Sequence, residues 1–103
     1  MTLPSRDHQV SLTDAAAFTR AYREQAGPDA VTAGAFHADQ VQALLAQQGC
    51  VALRIYYAKD KDGKDTLVLV GVDENDKDMT SGIMDELSFP CPPFCDGGSA
   101  LNG

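Results

Sequence analysis

Basic residues are scarce in this sequence: Lys and Arg number 8 against 15 Asp and Glu, for a formal net charge of −7. There is also no basic stripe and no aromatic platform set among Lys and Arg. Phosphate backbones and anionic lipid surfaces are therefore repelled, and nucleic acid is not an expected partner. Long apolar runs are missing too. Nowhere do the roughly eighteen apolar residues of a membrane span stand together, and residues 1–8 have no apolar stretch of signal-peptide length. The expectation is a cytoplasmic protein without membrane insertion. Cysteine is sparse at 3, an odd number that argues against a secreted disulfide framework and, in a reducing compartment, favours free thiols or metal ligands. A glycine-rich phosphate loop, a Rossmann fingerprint, an H-E-x-x-H pair and a nucleophile elbow are all absent, so the chain reads as non-enzymatic.

What is present is enough for one domain. The 103 residues carry an ordinary 44% of hydrophobic side chains. A chain of this length buries only about two thirds of the surface it exposes when unfolded, so a metal, a disulfide or a partner chain would add useful support.

After an N-terminal arm over 1–10, a helix is predicted over 11–26. Ser11 is a good N-cap with Asp14 three residues on, Val10 can staple onto Ala15, and Gly27-Pro28 stops the run. Leu12, Ala15, Phe18, Tyr22 and Ala26 recur at spacings of three and four and form one apolar stripe, which should face the core. A second helix is predicted over 38–48, capped at His37 with Phe36 stapled to Val41. Val41, Leu44 and Leu45 should face inward, and Gly49 supplies the left-handed residue at its end.

Two β-rich runs, 51–58 and 66–72, flank Lys59-Asp60-Lys61-Asp62-Gly63-Lys64-Asp65, whose Asp-Gly step marks a turn; 51–72 reads as an antiparallel hairpin. The first strand alternates Val51, Leu53, Ile55 and Tyr57 against Arg54 and Tyr56, whereas the second is apolar on both faces. One face should pack on the helices. The other needs a cover, either the segment from Met79 to Phe94 or a second copy of the chain, which makes Tyr56, Val68, Val70 and Val72 the expected interface. Residues 79–103 lack periodicity and read as irregular, with a short strand or turn of helix near Ile83 to Leu87, and their proline-rich end suits neither a helix nor a central strand. The fold class is thus α+β: two N-terminal helices packed on a small antiparallel hairpin sheet, followed by an irregular Pro/Cys-rich C-terminal segment.

Cys91 and Cys95, separated by Pro92, Pro93 and Phe94, carry the unusual chemistry. Thiolates bind zinc well, and Cys50 or His37 could complete a ligand set, although C-x3-C is looser than the common C-x2-C spacing. An extended diproline at about 3.1 Å per residue would hold the cysteines roughly 12 Å apart. That is beyond the Cα separation of about 7 Å that a disulfide tolerates. A turn at Pro93 would close the gap, so a stiff cover strip, a disulfide or thiol pair, and a metal site all stay open. The acidic turns fail the calcium-loop pattern: from Asp60, Lys64 and Asp65 take the fifth and sixth positions, and from Asp73, Met84 takes the last. They read as solvated hairpin turns. His37 reads as a helix cap and His8 as a surface residue.

Phe36 through Leu44-Leu45, Gln48-Gly49-Cys50, Arg54-Ile55-Tyr56-Tyr57, Leu67-Val68-Leu69-Val70-Gly71-Val72-Asp73 and Cys91-Pro92-Pro93-Phe94-Cys95 together resemble a group of short uncharacterised bacterial proteins. The resemblance covers most of the chain from the first helix onward and implies no activity and no catalytic residue. The expected function is a structural or interaction protein that self-associates into a homo-oligomer or meets another protein partner. The alternative is a small zinc-binding or thiol-redox protein using Cys91 and Cys95.

Overall fold

The computed structural model describes residues 2–102. In chain order the elements are helix α1 (Leu12–Ala26), strand β1 (Ala33–Ala35), helix α2 (Ala38–Leu45) and strands β2 (Cys50–Lys59), β3 (Asp65–Asp73), β4 (Met84–Asp85) and β5 (Phe89–Cys91). Helices with antiparallel sheets make this an α+β protein. Among the described residues no helix is long and apolar enough to cross a membrane. The chain divides into two compact units. One holds Phe36–Ser88 with the N-terminal residues through Ser5, and the other holds Arg6–Ala35 with Phe89 onward.

The first unit is built around the β2–β3 hairpin, in register from Lys59↔Asp65 to Leu53↔Gly71 and irregular only between Cys50 and Ala52. Its turn is organised by Asp60, whose Oδ1 accepts the N–H groups of Asp62 and Lys64, both at 2.9 Å, while Gly63 supplies a φ of 80°. The next turn repeats the design. Asp73 Oδ1 accepts from Asn75 at 2.9 Å and Lys77 at 3.0 Å, with Asp76 at φ 62° in the place of the glycine. This second turn sends the chain back so that Asp78 bridges Val72 and β4 pairs with Leu69 and Val70. The sheet order is therefore β2-β3-β4, with β3 central. Leu69, Val70 and Val72 are 5%, 2% and 1% exposed. Because neighbouring residues of a strand point to opposite faces, β3 is buried on both.

Helix α2 packs on all three strands, with Leu44 completely buried. It ends at Leu45 rather than near 48, because Gln47 leaves the helix to act as a tie. Its Nε2 donates to Leu44 O and its Oε1 accepts from Ile83 N, both at 2.8 Å. Gly49, at φ 86°, turns the chain into β2. His37 occupies the N-cap position without a side-chain capping bond. Gly71 is where the loop after α2 comes closest to the sheet: a Cβ there would stand 2.9 Å from Cys50 Sγ and 3.2 Å from Gln47 Nε2.

In the second unit, Ser11 Oγ accepts from Asp14 N at 3.1 Å to open α1, and the Gly27 N–H closes it on Arg23 O at 3.3 Å. Strands β1 and β5 form a two-stranded antiparallel ribbon, Ala33↔Cys91, Gly34↔Pro90 and Ala35↔Phe89. Pro90 is tolerated because each strand of such a ribbon is an edge. The C-terminal segment thus contains two short strands, β4 within the stretch from Ile83 to Leu87 and β5 in the proline-rich end, which the sequence suggests is irregular. Helix α2 belongs to the same unit as the hairpin, and α1 belongs to the other. No residue of α1 is buried. Its unit offers a ribbon of three residues per strand and a coil, to which Arg23 Nη1 is tied through Leu101 O at 2.5 Å. Periodicity made the stripe amphipathic, but it did not supply an apolar surface to cover it.

Candidate functional site

The Cys91-Pro92-Pro93-Phe94-Cys95 segment is a closed turn. The Phe94 N–H donates to Pro90 O at 2.9 Å and that of Cys95 to Pro93 O at 3.0 Å. The Cys91–Pro92 and Pro92–Pro93 peptides are both cis. The cysteine Cα atoms are 4.9 Å apart and the sulfurs are joined in a disulfide. The extended, roughly 12 Å arrangement is therefore not adopted, because these turn bonds replace it. Phe89 and Phe94 pack edge to face over the turn, with ring centroids 5.1 Å apart. The two sulfurs differ in setting: Cys91 is 6% exposed, on β5, whereas Cys95 lies at the surface. With both sulfurs in the disulfide, the pair offers no thiolate to zinc until it is reduced. Among the described residues, no group of three or more His, Cys, Asp or Glu side chains is placed to hold a metal ion. Cys50 and His37 belong to the first unit and the cysteine pair to the second. Cys50 is a free, half-buried thiol, with Sγ 3.3 Å from Ala52 O. His8 and His37 are exposed.

A second cluster was not anticipated. Arg54 and Tyr56 alternate onto one face of β2, and the turn after β3 carries Asp76 and Asp78 back beside them. Arg54 donates from Nη1 to Asp78 Oδ1 at 2.6 Å and from Nη2 to Asp76 Oδ1, and the Tyr56 hydroxyl donates to Asp78 Oδ2. The signal that could have found it is the likeness of the two turns, Asp60 to Lys64 and Asp73 to Lys77. If both are hairpin turns, Asp78 must return alongside β3 and within reach of Arg54.

The hydrogen bond from Tyr56, and then Arg54, hold the Asp78 carboxyl below the usual carboxylate range. The same bond to Asp78 pushes the Tyr56 hydroxyl up, and Asp76 and then Asp78 raise the Arg54 guanidinium further still. A tyrosine made less acidic and a carboxylate made less basic are poorly suited to proton transfer at neutral pH. The cluster is a clasp on the loop. Asp78, lowered in the folded state, stabilises above its unfolded pKa of about 4, a contribution lost as pH falls through the folded value. Tyr56, raised in the folded state, stabilises below about 10, a contribution lost as pH rises through its folded value. The urea midpoint of the parent chain should therefore exceed that of Tyr56→Phe most between about pH 5 and 9, and the two should converge on both flanks. A pH-independent gap would mean the hydroxyl acts through packing alone.

Of the expected interface residues, Val70 and Val72 are 2% and 1% exposed and offer no surface to a partner. The physical reason lies in the pairing: Arg54 stands across from Val70 on one side and Met84 on the other. Val68 is half-buried and Tyr56 is exposed. Apolar surface is found elsewhere instead. On α1, Leu12, Phe18 and Tyr22 are 65%, 68% and 54% exposed, and on β2 Val51 and Tyr57 are 62% and 93% exposed. No protein-family model matches this chain, and no curated protein or solved structure is similar to it.

Proposed function

We propose that this chain is a non-enzymatic interaction protein that associates with copies of itself. The observation that carries the reading is α1, a 15-residue helix with an apolar stripe and no buried residue. A helix of this length is marginal by itself in water and depends on packing of its apolar face. Covering a large side chain such as Phe18 contributes about 1.5–3 kcal/mol, so a partner seated on Leu12, Phe18 and Tyr22 gains several such contributions together. Light scattering coupled to gel filtration at micromolar concentration should report a species larger than one chain. Phe18→Asp, at a position already exposed, should reduce that mass without changing the circular dichroism spectrum. A monomer at all concentrations would sink the reading.

A second reading is favoured by the disulfide, since an exposed Cys95 residue with a buried Cys91 partner suits thiol–disulfide exchange. In that chemistry two external thiols are oxidised to their disulfide, and Cys91–Cys95 takes up two electrons and two protons. A closed disulfide also favours an oxidising compartment over the cytoplasm expected from the sequence. Differential alkylation under native conditions separates the readings. Exchange chemistry requires the pair to open with millimolar dithiol while the fold persists, whereas an interaction protein has no need of that.

A further inference from the structure

We propose that the free edge of β2 is the place where a second copy of this chain adds, antiparallel and about a two-fold axis at Ile55, to extend the β2-β3-β4 sheet. The inference rests on the self-association reading and adds to the α1 stripe a distinct contact.

β2 spans ten residues and has β3 on one side only. Among the described residues, no backbone hydrogen bond from a loop or cap reaches 53–58 to satisfy its other side. Proteins protect such edges with proline, bulges, charged side chains or very short strands. The opposite edge of this sheet follows the rule, since β4 has only two residues. β2 is guarded less: it contains no proline, its single irregularity lies at its start, between Cys50 and Ala52, and its charged side chains are only Arg54 and Lys59.

Electrostatics selects the same strand. A chain of net charge −7 repels its own copies. β2 contains no carboxylate, and its two cations are already matched, Arg54 by Asp76 and Asp78 and Lys59 by Asp65. Two copies can therefore meet along β2 without setting carboxylates of that strand against each other. Centring the pairing on Ile55 places Ile55 against its own copy, Leu53 against Tyr57 and Arg54 against Tyr56. Centring on Arg54 would instead oppose two guanidinium groups. Cross-strand pairs of apolar with aromatic side chains, and of a guanidinium with an aromatic ring, are favourable.

Each chain then carries two self-complementary contacts, β2 and α1, and the assembly can grow beyond a dimer. The test compares the parent chain with Ile55→Glu, which sets two carboxylates opposite each other at the axis, and with Tyr57→Glu at a position 93% exposed, where the fold is not at stake. Mass by light scattering and amide exchange of β2 are read across a dilution series. Expected are a lower mass for both variants and, for the β2 amides that point away from β3, protection at high concentration in the parent and in Phe18→Asp that is lost on dilution. Unchanged mass in both variants, or outward-pointing β2 amides unprotected at every concentration, overturns edge pairing. If mass still falls with Phe18→Asp in that case, self-association survives. A parent chain that is monomeric throughout removes both.

Discussion

Leu44→Ala should destabilise the first unit by about 2–5 kcal/mol, the range for truncating a fully buried leucine when the surroundings collapse only partly into the space. Leu44 is completely buried, and the other buried hydrophobic residues of this unit are Leu69, Val70 and Val72. Such a small core has little reserve, because domains of ordinary size are stable by only about 5–15 kcal/mol. The urea midpoint followed by circular dichroism should fall steeply, with a substantial unfolded fraction at room temperature. Leu45→Ala provides the control, as its neighbouring side chain is 44% exposed and should cost far less. Equal losses at the two positions would contradict the face that α2 turns to the sheet.

The second large effect is expected in the other unit. Opening Cys91–Cys95, by dithiol or by Cys95→Ser, removes a cross-link with a sequence separation of 4. Loop-closure entropy for so short a ring is worth about 2 kcal/mol, well below the value for a long loop. The unit is sensitive to this modest amount because Cys91 is its one buried hydrophobic residue among those described. Amide exchange at Thr32, whose N–H donates to Cys91 O at 2.8 Å, is the local reporter. Its protection should fall on reduction while the β2–β3 amides remain unchanged. Retained protection at Thr32 would mean that the hydrogen-bonded turn through Phe94 holds without the covalent link.

The elements legible in the sequence were those whose signals are local. Ser11 and Gly27 mark α1 because capping chemistry is decided within one helical turn. The α+β class followed from the same kind of signal, helical periodicity first and β-branched runs afterwards. Four features were not legible, and for all but the last the cause is distant. β1 is Ala33-Gly34-Ala35, a strand only by virtue of β5, and three small residues have no periodicity to read. The burial of Val70 and Val72 depends on the return of the chain after Asp78, so an apolar strand that looked like an interface became core. The converse holds for α1, whose regular stripe looked like core and stayed exposed. The redox geometry of Cys91 and Cys95 was undecided because proline permits extended chain and turns alike, and turn bonds such as Phe94 N to Pro90 O made the difference.

The pairing of Ala35 with Phe89 has a consequence for the order in which structure can form. All of α2, β2, β3 and β4 lies between these partners in the chain. For an unfolded chain the β1–β5 ribbon is therefore a remote encounter, carrying the entropy penalty of a long loop. Inside the first unit, however, α2 packs against β4, drawing the flanking residues together. Once that unit has folded, the same encounter becomes a local one. Order in the first unit thus lowers the closure penalty of the β1–β5 pairing, so a lesion among α2, β2, β3 or β4 should also weaken a ribbon to which it contributes no residue.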